Sequence, residues 1–172
     1  MLAIQLLVCN IIQELSRMTF LSDRVDEAEI IRPQETVRTR SVVKASLCLS
    51  AFTAVFYFLF FLYIGPDATP LTQASLFLFY NFTQMPVILS MRSPRPFFRP
   101  GIKPSRLLLG AVLFFIAFSA ALVYTPFTAG LLGFAAPPLH TFAVVAGFGA
   151  AYFALLEGVK AGLGRRRQLG AW

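Results

Sequence analysis

Four polar side chains that could bind a cation or form an ion pair interrupt the apolar segment at the start of the chain: Asn10, Gln13, Glu14 and Arg17. Their spacing of i, i+3, i+4 and i+7 predicts a single stripe, within about 100° of arc, on one face of a helix. A carboxylate or guanidinium at membrane depth is costly unless it faces water or a polar partner, so such residues commonly mark an ion or substrate path. These four residues, called the polar stripe below, are the main candidate functional site.

The polar stripe has two chemical interpretations. In the first, Glu14 and Arg17 form an intrahelical i, i+3 pair that neutralises itself inside a helix bundle. In the second, Glu14 supplies carboxylate oxygens to a cation, and Asn10 and Gln13 add amide oxygens. Hard cations such as magnesium prefer carboxylate, carbonyl and water ligands. We favour the cation site, although the guanidinium of Arg17 would repel a cation bound close to it.

Further polar side chains lie in the later apolar segments. Asn81 and Gln84 share one face with i, i+3 spacing, and interhelical hydrogen bonding is favoured over ion coordination for them. Pro86 follows and removes a backbone donor, which frees a carbonyl one turn back, around Phe82. Glu157 lies at the inner end of the last apolar segment, where we expect it to reach the lipid headgroups.

The small residues and the absent motifs point away from an enzyme active site. Gly147 and Gly149 are expected to allow close helix packing. Cys9 and Cys48 are expected to be small apolar residues in packed helices, since two such thiols make neither a disulfide framework nor a metal-ligand spacing. The sequence contains no Walker-type loop, nucleophile elbow or zinc-protease signature.

The composition and the apolar runs predict an all-α protein, a polytopic transmembrane helix bundle. Hydrophobic residues make up 57% of the chain and charged residues 13%, against about 25% charged residues in soluble domains. Runs of about 20 apolar residues are long enough to span a bilayer, and they lack the alternation of barrel strands. Five membrane-spanning helices are predicted, at residues 2–21, 45–64, 71–91, 107–127 and 138–156.

The basic residues predict the orientation of these spans. Every Lys and Arg except Arg17 lies at residues 24–44, 92–106 or 160–167. The other two loops between predicted spans, at residues 65–70 and 128–137, contain no Lys or Arg. Because basic residues accumulate on the cytoplasmic side, the N-terminus is predicted outside and the C-terminus inside. Topology thus accounts for the net charge of +7, so the expected partner is the lipid bilayer and no nucleic acid is expected. An outward N-terminus gives the first span nothing to direct its insertion, so we also expect an upstream part of the protein.

The region around the polar stripe resembles a known family of pumps. Residues 6–16 read LLVCNIIQELS, followed by SDRVD at residues 22–26 and RPQ at residues 32–34. This order resembles the sixth membrane helix and following loop of bacterial magnesium-transporting P-type ATPases, which have an Asn, an Asp four residues later and a Ser two positions on. Residues 81–99 look like the eighth helix and its exit loop. TPF at residues 125–127 is similar to the end of the ninth helix.

The resemblance implies that residues 1–172 are the C-terminal transmembrane domain of such a pump, comprising its helices six to ten. It implies a magnesium ion as the transported substrate, with Glu14, Asn10 and Gln13 as candidate cation ligands, in the inner membrane of a bacterium. The family phosphorylates an Asp in an Asp-Lys-Thr-Gly motif that this sequence lacks. The chain should therefore not hydrolyse ATP alone. ATP–magnesium would be used by missing domains, and the remaining N-terminal part of the pump is the expected partner.

Two departures from the family keep other functions open. The family's Asp is Glu14 here, and Arg17 replaces an uncharged amide residue. A carboxylate beside a guanidinium suits proton transport better than magnesium coordination, so a proton-translocating P-type ATPase is an alternative. A stand-alone five-helix structural or accessory membrane protein is another. As part of a pump, the chain could be a fragment, a split-gene product or a decayed remnant.

Overall fold

The computed structural model describes residues 2–19, 39–65, 67–91 and 105–168. Within these ranges the regular secondary structure is α-helical, which confirms the predicted all-α class. The described residues form six α-helices: α1 Ala3–Met18, α2 Thr39–Ile64, α3 Pro70–Met91, α4 Arg106–Tyr124, α5 Pro126–Leu132 and α6 Leu139–Gln168.

The chain divides into two compact units. One comprises Met1–Arg24 and Ala68–Trp172, and the other is Val25–Asp67, which contains α2. Within α2, aromatic side chains stack along the helix, with ring centroids 5.6 Å apart for Phe52 and Phe56. The polar stripe and the helices packed around it belong to the first unit.

The central helix of the first unit is α3, which packs against α1, α4 and α6. Phe77, Leu78 and Phe79 are consecutive and fully buried, so burial extends around the helix instead of following one face. A helix that is apolar over most of its circumference is typically buried, which agrees with the predominantly apolar run in the sequence here. The helix agrees within one residue with the predicted third span, residues 71–91.

α6 crosses α3 closely at one glycine. A Cβ atom built on Gly149 would lie 3.1 Å from the backbone oxygen of Phe82 and 3.2 Å from its Cβ atom. Pro86 cannot donate to this oxygen, which lies one turn before it. The predicted close packing is therefore confirmed at Gly149, whereas nothing lies within 4 Å of a Cβ built on Gly147.

α4 ends earlier than the fourth predicted span, residues 107–127. The helix stops at Tyr124, Thr125 is extended, and Pro126 begins the separate helix α5. Pro126 has no backbone N–H to offer the carbonyl of Leu122, and the Thr128 hydroxyl donates to that carbonyl instead, at 2.8 Å. The prediction of one uninterrupted helix was wrong because Pro126 cannot continue the hydrogen bonding of α4 and breaks the helix after Tyr124.

Two described helices are long and apolar enough to cross a membrane, α4 and the Leu139–Val159 part of α6. The segment Ser50–Ile64 of α2 is a shorter apolar helix. On α4 the exposed side chains include Leu113, Phe114 and Phe118, which is the type of surface that faces lipid.

Candidate functional site

α1 carries the polar stripe and has three distinct faces. One face is buried and comprises Gln5, Cys9, Ile12, Gln13 and Ser16. A second face is exposed and apolar, with Leu7, Ile11 and Leu15. Between them lies an exposed polar sector, formed by Asn10, Glu14 and Arg17. At 3.6 residues per turn these three sets fall on adjacent arcs of the helix.

The sequence placed Gln13 in one stripe with Asn10, Glu14 and Arg17, and in the structure Gln13 differs from the other three in burial. Gln13 is 4% exposed, while Asn10, Glu14 and Arg17 are exposed. The reason is that Gln13 lies at the edge of the stripe nearest Cys9 and Ser16, which pack into the bundle. The periodicity therefore predicted correctly that the four residues share an arc of the helix. It did not predict that the edge of this arc at Gln13 is buried against the bundle.

The N-terminal end of α1 is held by Gln5, which is fully buried. Its Nε2 atom donates to Oε1 of Gln73 on α3 at 2.9 Å and to the backbone oxygen of Leu132 on α5 at 2.8 Å. Its Oε1 atom accepts from the backbone N–H of Leu2 at 2.9 Å. Sequence reasoning missed this residue, although its spacing from Cys9, Ile12 and Ser16 is that of a single helix face.

Two further contacts join α1 to α3 along the same face. Nδ2 of Asn81 donates to Sγ of Cys9 at 3.4 Å and to the backbone oxygen of Phe77 at 2.9 Å. The Ser16 hydroxyl contacts Sδ of Met85 at 3.2 Å. The contact with Cys9 is the interhelical hydrogen bond expected for Asn81. Since residue numbers rise together on the two helices, α1 and α3 run in the same direction.

The charged members of the polar stripe form an ion pair. Nη1 of Arg17 lies 2.6 Å from Oε1 of Glu14, and the two side chains are 50% and 64% exposed. Nη2 of Arg17 also donates to Oε1 of Gln13, at a longer 3.5 Å. The guanidinium thus contacts two of the three candidate cation ligands. A cation at Glu14 would have to displace it or share the carboxylate with it.

The two remaining polar candidates, Asn10 and Gln84, differ in burial. Asn10 is exposed one turn before Glu14 on the polar sector of α1. Because residues four apart are neighbours on a helix surface, its amide could add an oxygen ligand to a cation at Glu14. Gln84 is half-buried on α3. It lies one turn after Asn81 on the same helix.

Glu157 is a buried carboxylate that the sequence placed at the headgroups. It is 2% exposed, and its Oε1 atom accepts a hydrogen bond from the Ser90 hydroxyl at 2.5 Å. The expectation was wrong because α6 packs along α3 to this depth and covers the side chain. Ser90 and Glu157 both lie close to the C-terminal ends of predicted spans, and this shared position is the sequence feature that could have predicted their contact.

The acidic and thiol side chains of the described residues do not converge on a metal centre. Among these residues, no group of three or more His, Cys, Asp or Glu side chains is placed to hold a metal ion. Cys9 is a buried free thiol, as expected for a small residue in a packed helix. The Cys48 side chain lies outside the described residues. Glu14 is therefore a single carboxylate on an exposed sector that would need additional ligands to bind a cation.

Comparisons with known proteins give one family. Residues 1–162 match the model of the family described as "Cation transporting ATPase, C-terminus". No curated protein matches the chain.

Proposed function

The chain belongs to the cation-transporting ATPase C-terminus family, and from this premise we propose that it serves a P-type pump that carries magnesium across the inner membrane of a bacterium. It is the C-terminal membrane part of a P-type cation pump. In this proposal, ATP–magnesium is bound and hydrolysed by domains outside these 172 residues, because the sequence has no Asp-Lys-Thr-Gly motif. Magnesium is the transported substrate.

The proposal includes five spans with the N-terminus outside. Helix directions support it: α1 and α3 run in parallel, and so do α3 and α6, where Phe82 packs on Phe142 and Ser90 contacts Glu157. The first, third and fifth spans of an alternating chain must share one direction. Impermeant maleimide should label Asp67→Cys in intact cells, and labelling of that variant only after permeabilisation would contradict this orientation.

The observation that carries the cation site is the exposed polar sector of α1. Glu14 is 64% exposed on a helix whose opposite face is packed into the bundle and whose third face is apolar. A carboxylate at membrane depth needs water or a polar partner. We assign Glu14 and Asn10 to one half of the magnesium site, with the other half supplied by helices of the N-terminal part of the pump. Magnesium usually binds through one or two carboxylates and keeps several waters, which fits this sparse ligand set.

One contact favours proton transport as a second candidate. The 2.6 Å pair of Arg17 with Glu14 places a fixed positive charge where a divalent cation would bind. A proton bound to the Glu14 carboxylate needs no coordination shell. The carboxylate would be neutralised by this proton in one state of the pump and by the Arg17 guanidinium in the other. Both candidates place Glu14 at the centre, so they differ in the ion and not in the residue.

The test is ATPase activity of the complete pump, reconstituted with Glu14→Ala in this chain. We expect loss of magnesium-stimulated ATPase activity, because the only acidic ligand of the polar sector is removed. The matched control is Asp67→Asn, an exposed acidic residue outside the predicted spans, which should keep full activity. Full magnesium stimulation in Glu14→Ala would refute the assignment, and stimulation by protons alone in the wild-type pump would favour the second candidate.

A further inference from the structure

Two buried amide atoms in the first unit have no hydrogen-bond partner: Nε2 of Gln13 and Oδ1 of Asn81. Their residues are 4% and 0% exposed. One atom is a donor and the other is an acceptor. Buried polar side-chain atoms are nearly always hydrogen-bonded, and an unpaired one commonly marks a bound water or ion.

Both atoms belong to the region where α1 meets α3. The Asn81 amide lies against Cys9, with Nδ2 3.4 Å from Sγ, and Gln13 follows Cys9 by one turn on the same buried face. The four residues from Cys9 to Gln13 correspond to a rise of about 6 Å along the helix axis. A single molecule with hydrogen bonds of about 2.9 Å on either side can bridge polar atoms about 5 to 6 Å apart, a separation comparable with this rise.

The other bonds of each amide fix its orientation. Oε1 of Gln13 faces the Arg17 guanidinium at 3.5 Å, so its Nε2 points away from Arg17. Nδ2 of Asn81 donates to the backbone oxygen of Phe77 at 2.9 Å, so its Oδ1 points away from that carbonyl. If the Gln13 amide were flipped, its NH₂ group would face the donor of Arg17. If the Asn81 amide were flipped, its oxygen would face the carbonyl oxygen of Phe77.

We propose that α1 and α3 bind one ordered water between Gln13 and Asn81. Water accepts from Nε2 of Gln13 and donates to Oδ1 of Asn81, so it satisfies both atoms at once. A bare cation would be attracted by Oδ1 but repelled by the hydrogens on Nε2. Apolar side chains packed into the same space would leave both atoms without a hydrogen-bond partner, which is costly in a buried site. The inference goes beyond the proposed pump function, because it depends on these two helices alone and on no transport step.

The site would couple the polar sector to the central helix. Gln13 contacts Arg17, which pairs with Glu14, and the water continues this chain of hydrogen bonds to Asn81 on α3. A substitution of Asn81 should therefore alter the hydrogen bonding of Arg17 through the water and Gln13, although the described hydrogen bonds show no direct link between Asn81 and Arg17.

The direct test is a water-to-amide nuclear Overhauser measurement on the full chain in detergent micelles. We expect a cross-peak between the Gln13 side-chain amide protons and a long-lived water, and its loss in Asn81→Leu. Absence of the cross-peak in the folded wild-type chain would overturn the proposal. So would a saturable shift of both amide resonances on addition of magnesium chloride, since that would show a cation in place of the water.

A double-mutant cycle supplies an independent readout. Gln13→Met and Asn81→Leu should each lower the melting temperature, by about 2 to 6 °C, because each removes one partner of the water. The double variant should lose less than the sum of the two shifts, since the first substitution already displaces the water. Unchanged or raised melting temperatures in the single variants, or strictly additive losses, would contradict the site.

The matched control for this cycle uses Ser119, a buried residue of α4. Its hydroxyl donates to the backbone oxygen of Phe115 within its own helix at 2.8 Å. Ser119→Ala combined with Asn81→Leu should give additive shifts. Coupling of the same size in this control pair would show a global effect of the substitutions and would overturn the bridging interpretation.

Discussion

Neighbouring residues of one stripe have different surroundings in the folded chain. Gln13 packs into the bundle, whereas Glu14 and Arg17 form an exposed pair. Helical periodicity predicted that they share an arc, because that depends only on spacing. It could not predict which edge of the arc meets α3, because that depends on a contact between residues about 70 positions apart, as in the bond of Asn81 to Cys9. The pairing of Glu14 with Arg17 was available from sequence as the first of the two interpretations.

At this scale, Arg17→Gln separates the two candidate ions. In a magnesium pump it removes a positive charge 2.6 Å from the Glu14 carboxylate, so magnesium should stimulate ATPase activity at a concentration several-fold lower than in wild type. The measurement is the magnesium dependence of ATPase activity in the reconstituted pump. Arg17→Lys keeps the charge and serves as the control, which should resemble wild type. Loss of activity in Arg17→Gln with retention in Arg17→Lys would instead support proton transport.

The elements show where local sequence determines structure and where packing does. The bounds of α3 were predictable because an apolar run lies between Pro70 and the basic residues that start at Arg92. The break between α4 and α5 was also encoded, by Pro126, but the apolar composition on both sides concealed it. The close crossing of α6 on α3 was predictable only as a tendency of small residues. Two glycines at i, i+2 point in different directions, and only the structure shows that Gly149 is the contact.

A glycine pair provides the matched test of this crossing. Gly149→Val should destabilise the chain by about 1 to 3 kcal/mol relative to Gly147→Val, because its Cβ atom would press on the Phe82 backbone, which cannot move aside as a side chain does. Nothing lies within 4 Å of a Cβ built on Gly147, and the change in helix propensity is the same for both variants. The readout is thermal unfolding of the full chain in detergent. Equal melting temperatures for the two variants would show that the crossing is not tight.

At the scale of the molecule, the first unit combines a packed centre with the exposed polar sector of α1. α3 is surrounded by α1, α4 and α6, and polar contacts such as those of Gln5 and Glu157 hold its two ends. The sequence predicted the all-α class, a P-type cation pump and the general positions of most helices, because these depend on composition, apolar runs and motifs. It did not predict the polar contacts inside the bundle. These polar contacts depend on which helix faces pack against each other, and a chain with several apolar helices allows many different pairings of faces.

The central claim is that the polar sector of α1, through Glu14, forms part of the path of the transported magnesium. The most direct measurement is ATP-driven magnesium transport by the complete pump in proteoliposomes, recorded with a magnesium indicator and a pH indicator in the lumen. We expect that the wild-type pump changes luminal magnesium and that the Glu14→Ala pump does not. Magnesium transport at the wild-type rate by the Glu14→Ala pump would contradict it.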